Sequence, residues 1–311
     1  MKIYILDPIH DIPLNDANTI SEVVKWDDEK INDIEEAEAI IVRTSVIDKD
    51  KLDKMPKLKI IAKHGIGTDN IDLNYAKSKG IIVTNTPTAN MESVAELVVA
   101  LSLACARKIP RSHDLTRSGL DKPAPKELTG IELGGKKVGL IGTGRIGQKA
   151  GAIFKGGFNM EVYGFDPYLS AEAAEKLGII KVETLDELLE VADIVSISVP
   201  LTKDTENLIS MDQLKKMKKT SILINTSRGK IVNEEDLHLA LKEGLIGACA
   251  LDVFEVEPPK KDNPLLSLPN FIGTPHIGAA TEEALIRMGV TAVEEIKMVI
   301  DGLKPRYIVN N

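Results

Sequence analysis

The 311-residue chain has only two cysteines, Cys105 and Cys249. Each lies in an apolar run, and neither has CxxC or metal-ligand spacing. That excludes a disulfide scaffold and points to buried thiols in a reducing compartment. Long hydrophobic runs are also missing. The longest, LVVALSLACA (97–106), falls well short of the ~20 residues needed to span a bilayer. The N-terminal MKIYILDPIHD lacks an extended apolar core and a cleavage site, so no secretory signal is expected. Positive charge is in deficit, with 39 Lys and Arg against 47 Asp and Glu, a net charge of −8. This speaks against nucleic acid or a membrane as a main partner, while leaving room for a local basic pocket. HExxH, a Cys/His cluster, GxxxxGK[ST] and GxSxG are all absent, so no metal site, P-loop or nucleophile elbow is expected. The expected location is cytoplasmic.

What remains is ordinary globular composition, 43% hydrophobic and 28% charged, in a chain long enough for two domains. Short β-branched runs alternate with helical patterns, the signature of parallel sheets covered by helices. The first series of strands is KIYIL (2–6), AIIVR (39–43), KIIAK (59–63) and IIVTN (81–85), with helices over 18–26 and 72–80. A helix apolar nearly all round starts at Asn90, and packs either in a core or on a partner subunit. Residues 107–135 lose periodicity and read as a connector. The second series is KKVGLIG (136–142), EVYGFD (161–166), DIVSISV (193–199), SILINT (221–226), GACALDV (247–253) and FIGT (271–274). A final helix covers 281–302. The expected fold class is α/β, with two doubly wound parallel-sheet domains. The chain builds one, crosses over to build the second, and returns.

In the second series LIGTGRIGQ (140–148) holds Gly142-x-Gly144-x-x-Gly147 between a strand and a helix, the context that makes this pattern informative. The glycines permit a tight turn, close approach to a pyrophosphate, and helix–strand packing. Asp166 ends the next strand, where a carboxylate accepts hydrogen bonds from a ribose and repels a 2′-phosphate, favouring NAD over NADP.

Arg228, Glu257 and His276 follow the ends of later strands, where ligands bind in open α/β sheets. A guanidinium holds a carboxylate through two parallel bonds. An imidazole exchanges protons near neutral pH, and a carboxylate beside it fixes its tautomer. Singly, each has an ordinary role as a turn cap or loop residue; their joint placement is the signal. Of the other histidines, His238 reads as a helix surface residue, and His10 and His113 as loop residues. His64, in KHGIG, stands where it could approach a ligand.

Four segments in order, GLIGTGRIGQ, NTSRGKIVNEEDL, ALDVFEVEPP and TPHIGAAT, resemble the D-isomer-specific 2-hydroxyacid dehydrogenase family. The resemblance covers nearly the whole chain. It implies a flavodoxin-like substrate domain over 1–100, completed by 284–311, and a Rossmann NAD-binding domain over 101–283, closing around the substrate. It implies Arg228 on the substrate, His276 as acid/base with Glu257 as its partner, and Asp252 on the nicotinamide side. Arg145 and Ile146 would meet the pyrophosphate. Val199, Pro200, Thr226, Ser227, Gly278 and Ala279 would complete the cofactor cleft. KHGIGTDNID would place Ile66 and Gly67 at the substrate carboxylate, and Arg43 and Lys63 are the candidate cations for a substrate phosphate. A homodimer through the helix after Asn90 is also implied. Within the family the chain most resembles the short-form enzymes acting on 3-phosphoglycerate, which would dispense with serine feedback through a regulatory extension. Lys63 stands where that subgroup usually carries arginine. Other small 2-oxo acids (glyoxylate, hydroxypyruvate) and an NAD-dependent corepressor-like scaffold are the alternatives.

Overall fold

The computed structural model describes residues 1–119 and 126–311, in two compact units: Met1–Ser93 with Ala279–Asn311, and Val94–Gly278.

In the first unit β1 (Lys2–Ile5), β2 (Glu22–Val24), β3 (Ala39–Val42), β4 (Ile60–Lys63) and β5 (Ile82–Thr84) form one parallel sheet in the order β2-β1-β3-β4-β5. This is the flavodoxin-like order. Its strands are apolar on both sides because both faces are covered. Ile3, Ile5, Ala39 and Ile41 share a core with α11 (Glu282–Ile300) and Ala17 of α1 (Asp11–Ile20). The alternate residues Tyr4, Ile40 and Val42 pack with Leu52 of α2 (Lys49–Asp53) and Ala76 of α3 (Leu73–Ser78). The tail is held to β5 by an antiparallel bridge, Thr84 with Ile308. It is also tied by fully buried Glu295, which accepts from the backbone N–H groups of Arg306 (2.8 Å) and Tyr307 (3.0 Å).

The helix expected over 18–26 is not there. Helix α1 starts earlier, with His10 Nδ1 accepting from the Ile12 N–H (3.1 Å), and ends at Ser21. The β-branched pair Val23-Val24 then turns extended and pairs with β1, because edge pairing outweighs the helical spacing.

The second unit takes in most of α4 (Met91–Ala106), then α5 (Ile109–Arg117). Its sheet has seven parallel strands: β6 (Lys137–Ile141), β7 (Glu161–Phe165), β8 (Ile180–Lys181), β9 (Ile194–Ile197), β10 (Ile222–Asn225), β11 (Ala248–Leu251) and β12 (Phe271–Gly273). The order is β12-β11-β10-β9-β6-β7-β8, the Rossmann arrangement with one strand added at the far edge. Helices α6 (Arg145–Phe158), α7 (Ala171–Leu177), α8 (Leu185–Val191), α9 (Met211–Lys216) and α10 (Glu234–Lys242) cover its faces. Two expectations need correction. The connector contains α5, so His113 is helical; Pro110 sits in the first turn, where it costs no hydrogen bond. Strand β8, only two residues long, was not anticipated.

His64 is 2% exposed rather than facing a ligand. Its Nε2 lies 3.2 Å from the Leu285 carbonyl of α11, so that nitrogen carries the hydrogen. Burial, with Arg43 adding to it, pushes its pKa down to about 4. Because the unfolded chain binds this proton near 6.5, stability is expected to fall as pH drops from about 6.5 to 4, by about 3 kcal/mol in all. His64→Gln keeps a donor for Leu285 and does not titrate. It should flatten that part of the curve of Tm against pH; an unchanged slope would assign the loss to other groups.

Candidate active site

The glycine loop leaves β6 through Gly142 at φ 88°. A Cβ there would lie 2.6 Å from the Ser198 carbonyl oxygen. At Gly147, inside α6, a Cβ would lie 2.3 Å from the Gly142 oxygen. These two glycines let the helix sit directly on the turn. Gly147→Ala should therefore displace the N-terminus of α6, weakening NADH binding at least tenfold and lowering Tm, by overpacking costs of about 1–3 kcal/mol. Fluorescence titration checks this, and unchanged affinity would remove the loop from the cofactor site.

Gly144 differs, since a Cβ there would meet nothing within 4 Å. It caps α6 without a side-chain bond, so the helix N–H groups at Arg145 and Ile146 face an open cradle. Asp166 backs the loop: Oδ2 accepts from the Thr143 N–H (2.9 Å) and hydroxyl (3.1 Å), and Oδ1 from the Tyr168 N–H (2.9 Å). Beyond β9 and β10, the hydroxyls of Ser198 and Thr226 are buried without a partner. An open glycine turn, an uncapped helix start, a carboxylate at the second strand's end and orphaned hydroxyls along the strand ends fit a dinucleotide. Pro200 follows Val199, whose carbonyl accepts a short hydrogen bond from the Ser227 hydroxyl, tying the loops after β9 and β10 together.

Arg228 follows that tie. Its carbonyl accepts from the Asn225 side chain (2.8 Å), and its own Nη1 donates to the Ser227 carbonyl (2.7 Å). Gly229 must lack a side chain, because a Cβ would fall 1.9 Å from the Phe254 carbonyl carbon. This contact presses the Arg228 loop onto the loop bearing Glu257.

His276 and Glu257 meet, Nδ1 to Oε2 at 2.8 Å, with side chains 51% and 38% exposed. The pair is open to a small molecule. Burial works to raise the Glu257 pKa. The hydrogen bond and charge of His276, the Phe254 N–H (3.1 Å) and Arg228 outweigh it and hold the carboxyl below its usual range. An ionised Glu257 can only accept, so Nδ1 carries a hydrogen and Nε2 is the atom left for proton exchange. His276 itself stands at φ 54°, an uncommon backbone for a non-glycine residue. It is held there by its N–H to the Asp252 carbonyl (2.8 Å). The Asp252 carboxylate, 1% exposed, accepts from the Thr274 hydroxyl (2.7 Å) and the N–H groups of Ile277 (2.8 Å) and Gly278 (2.8 Å). Asp252 thus cages the His276 loop, with Ala279 next in the chain. Thr143, Thr274 and Gly229 escaped the sequence reading, which weighs chemistry-bearing side chains and not their braces.

In the first unit Ile66 and Gly67 are half-buried, and Asn85 Nδ2 donates to the Ile66 carbonyl (2.8 Å). Lys63 is 7% exposed; its Nζ donates to the Arg43 carbonyl (2.5 Å) and to Asn70 Oδ1 (2.6 Å). The Arg43 guanidinium, half-buried, has no hydrogen-bond or ion-pair partner among the described residues. Those residues hold no group of three metal-ligating side chains, and no helix long and apolar enough to cross a membrane.

Residues 99–278 match the model of the D-isomer specific 2-hydroxyacid dehydrogenase, NAD binding domain. The chain is 44% identical, over its whole length, to the D-3-phosphoglycerate dehydrogenase of Methanocaldococcus jannaschii, and spans 59% of that protein. It is 42% identical to the glyoxylate reductase of Thermofilum pendens, covering 91% of this chain and 84% of the relative. The crystal structure of D-lactate dehydrogenase from Aquifex aeolicus, complexed with NAD and lactic acid, superposes with a TM-score of 0.85 at 32% identity, over 97% of this chain and 96% of that one. The chain belongs to the D-isomer-specific 2-hydroxyacid dehydrogenase family.

Proposed function

We propose that the protein is an NAD-dependent D-2-hydroxyacid dehydrogenase that interconverts a 2-oxo acid and its D-2-hydroxy acid. The observation that carries this is the His276–Glu257 pair at 2.8 Å in a unit that also holds the glycine cradle and Arg228. Gly142, Gly144, Arg145, Ile146, Gly147 and Asp166 hold the dinucleotide. Val199, Pro200, Thr226, Ser227, Asp252, Gly278 and Ala279 line its nicotinamide end. Bound NADH supplies a hydride to C2 of the 2-oxo acid. Arg228 anchors the carboxylate and turns the carbonyl oxygen toward His276. His276 delivers its proton from Nε2 to that oxygen, and Glu257 stabilises the imidazolium before the transfer. The reverse direction begins with His276 neutral and ends with it protonated.

The substrate we favour is 3-phosphoglycerate with its 2-oxo partner phosphohydroxypyruvate, the first step of a serine pathway. Arg43 would take the phosphate and the Ile66-Gly67 loop the carboxylate end. Identity to a phosphoglycerate enzyme over the whole chain supports it. A smaller acid such as glyoxylate or hydroxypyruvate is the second reading, favoured by the internal bonds of the Lys63 ammonium and by the glyoxylate reductase relative. Pairing as a homodimer through α4, whose Leu97 and Leu103 stay partly buried, and a cytoplasmic location complete the proposal. NADH consumption with phosphohydroxypyruvate, hydroxypyruvate, glyoxylate and pyruvate tests it. Highest kcat/KM with the phosphorylated acid supports the first reading, and preference for an unphosphorylated one the second. No turnover despite tight NADH binding would favour a corepressor-like scaffold.

A further inference from the structure

The loop 43–45, after β3, is gripped from both sides. Asp7, at the end of β1 and 8% exposed, accepts from the N–H groups of Arg43 (2.6 Å), Thr44 (3.0 Å) and Ser45 (3.2 Å) and from the hydroxyls of Thr44 (3.0 Å) and Ser45 (2.8 Å). These bonds lower its pKa despite burial, so the carboxylate is ionised where it is needed. Two of the loop's carbonyls are held from β4 and the segment that follows it. Lys63 Nζ reaches the Arg43 oxygen, and Asn70, which also accepts from Lys63, donates to the Ser45 oxygen at 2.7 Å. Registered pairing of Val42 with Lys63 puts the two loops side by side. Gly65, where a Cβ would sit 3.6 Å from Lys63 Cε, closes over the lysine stem. A buried ammonium with two short bonds to fixed oxygens has little freedom to turn toward a ligand.

From this we propose that Lys63 is a positioning residue and not a substrate-binding one: through Asn70 and the Arg43 carbonyl it fixes the backbone from which Arg43 meets the acid's distal anion. Asp7 on one side and Lys63 with Asn70 on the other form one clamp, the first taking the loop's N–H and hydroxyl donors and the second the Arg43 and Ser45 carbonyls. The inference rests on the reading that Arg43 binds substrate.

The test compares Lys63→Met, Asn70→Ala, Arg43→Gln and the Lys63→Met/Arg43→Gln double variant in the NADH-bound enzyme, using phosphohydroxypyruvate and glyoxylate. Lys63→Met is expected to lower kcat/KM for phosphohydroxypyruvate relative to glyoxylate by about 10- to 100-fold, mainly through KM, the size of a lost charge-assisted contact. Asn70→Ala leaves the ammonium in place and removes its bond to Asn70 together with the bond from Asn70 to the Ser45 carbonyl. It should shift the same ratio in the same direction, and it serves if Lys63→Met fails to fold. In the double variant the loss should match that of Arg43→Gln alone. Additive losses, or an Asn70→Ala enzyme whose ratio is unchanged, would mean that Lys63 touches substrate directly and overturn the proposal. If Arg43→Gln itself left KM unchanged for both acids, the substrate role of Arg43 would fall, and the proposal with it.

Discussion

Replacing His276 by alanine is expected to lower kcat for 2-oxo acid reduction by about 10²–10⁴-fold, the contribution of a positioned acid/base. The Kd for NADH should stay nearly constant, because the glycine cradle lies on other strand ends. Glu257→Gln should act through the same pair. An ionised carboxylate 2.8 Å from the ring keeps the hydrogen on Nδ1 and leaves Nε2 for proton transfer to the substrate. Without that acceptor-only group the ring loses its fixed tautomer at Nδ1, so kcat should fall while the Kd for NADH holds. Because Glu257 stays ionised well below neutrality, the native profile should keep this support until pH falls through its lowered pKa. Parallel loss of turnover and NADH affinity in His276→Ala would make the residue structural.

Arg228→Gln is expected to cost about 10²–10⁴-fold in kcat/KM, as two charge-assisted hydrogen bonds at about 1.5–3 kcal/mol each are lost. Arg228→Lys should recover only part, since a point charge cannot reproduce the planar fork. The tie through Ser227 and Asn225 uses the Arg228 backbone and not its guanidinium, so it survives both substitutions and Tm should change little. A large fall in Tm with kcat/KM restored by refolding conditions would place Arg228 in the scaffold.

The site was legible where chemistry and local pattern coincide. Strand, glycine turn and helix follow each other within 137–158, so the cradle could be read from neighbours in sequence. Arg228, Glu257 and His276 were legible as a set because each follows a strand end, and strand ends of a parallel sheet converge. The pairing of His276 with Glu257 across nineteen positions came only through the family resemblance, and the caging role of Asp252 did not come at all; both depend on how two loops fold back on one another. No local pattern encodes that. Lys63 and His64 show the same gap in the other direction. Lys63 ends β4 and His64 opens the glycine-containing turn after it, a place that suggests exposure; yet β4 is an interior strand, so one side chain braces Arg43 and the other meets α11. The misread at 18–26 is a balance of small terms: spacing favoured a helix, and the free edge of β1 captured Val23-Val24 instead.

The most direct test of the account is product analysis after turnover with NADH deuterated at C4 of the nicotinamide. The account predicts a D-2-hydroxy acid carrying deuterium at C2, formed by the wild-type protein and lost in His276→Ala. An L-2-hydroxy acid, or deuterium appearing in solvent instead of at C2, would contradict it.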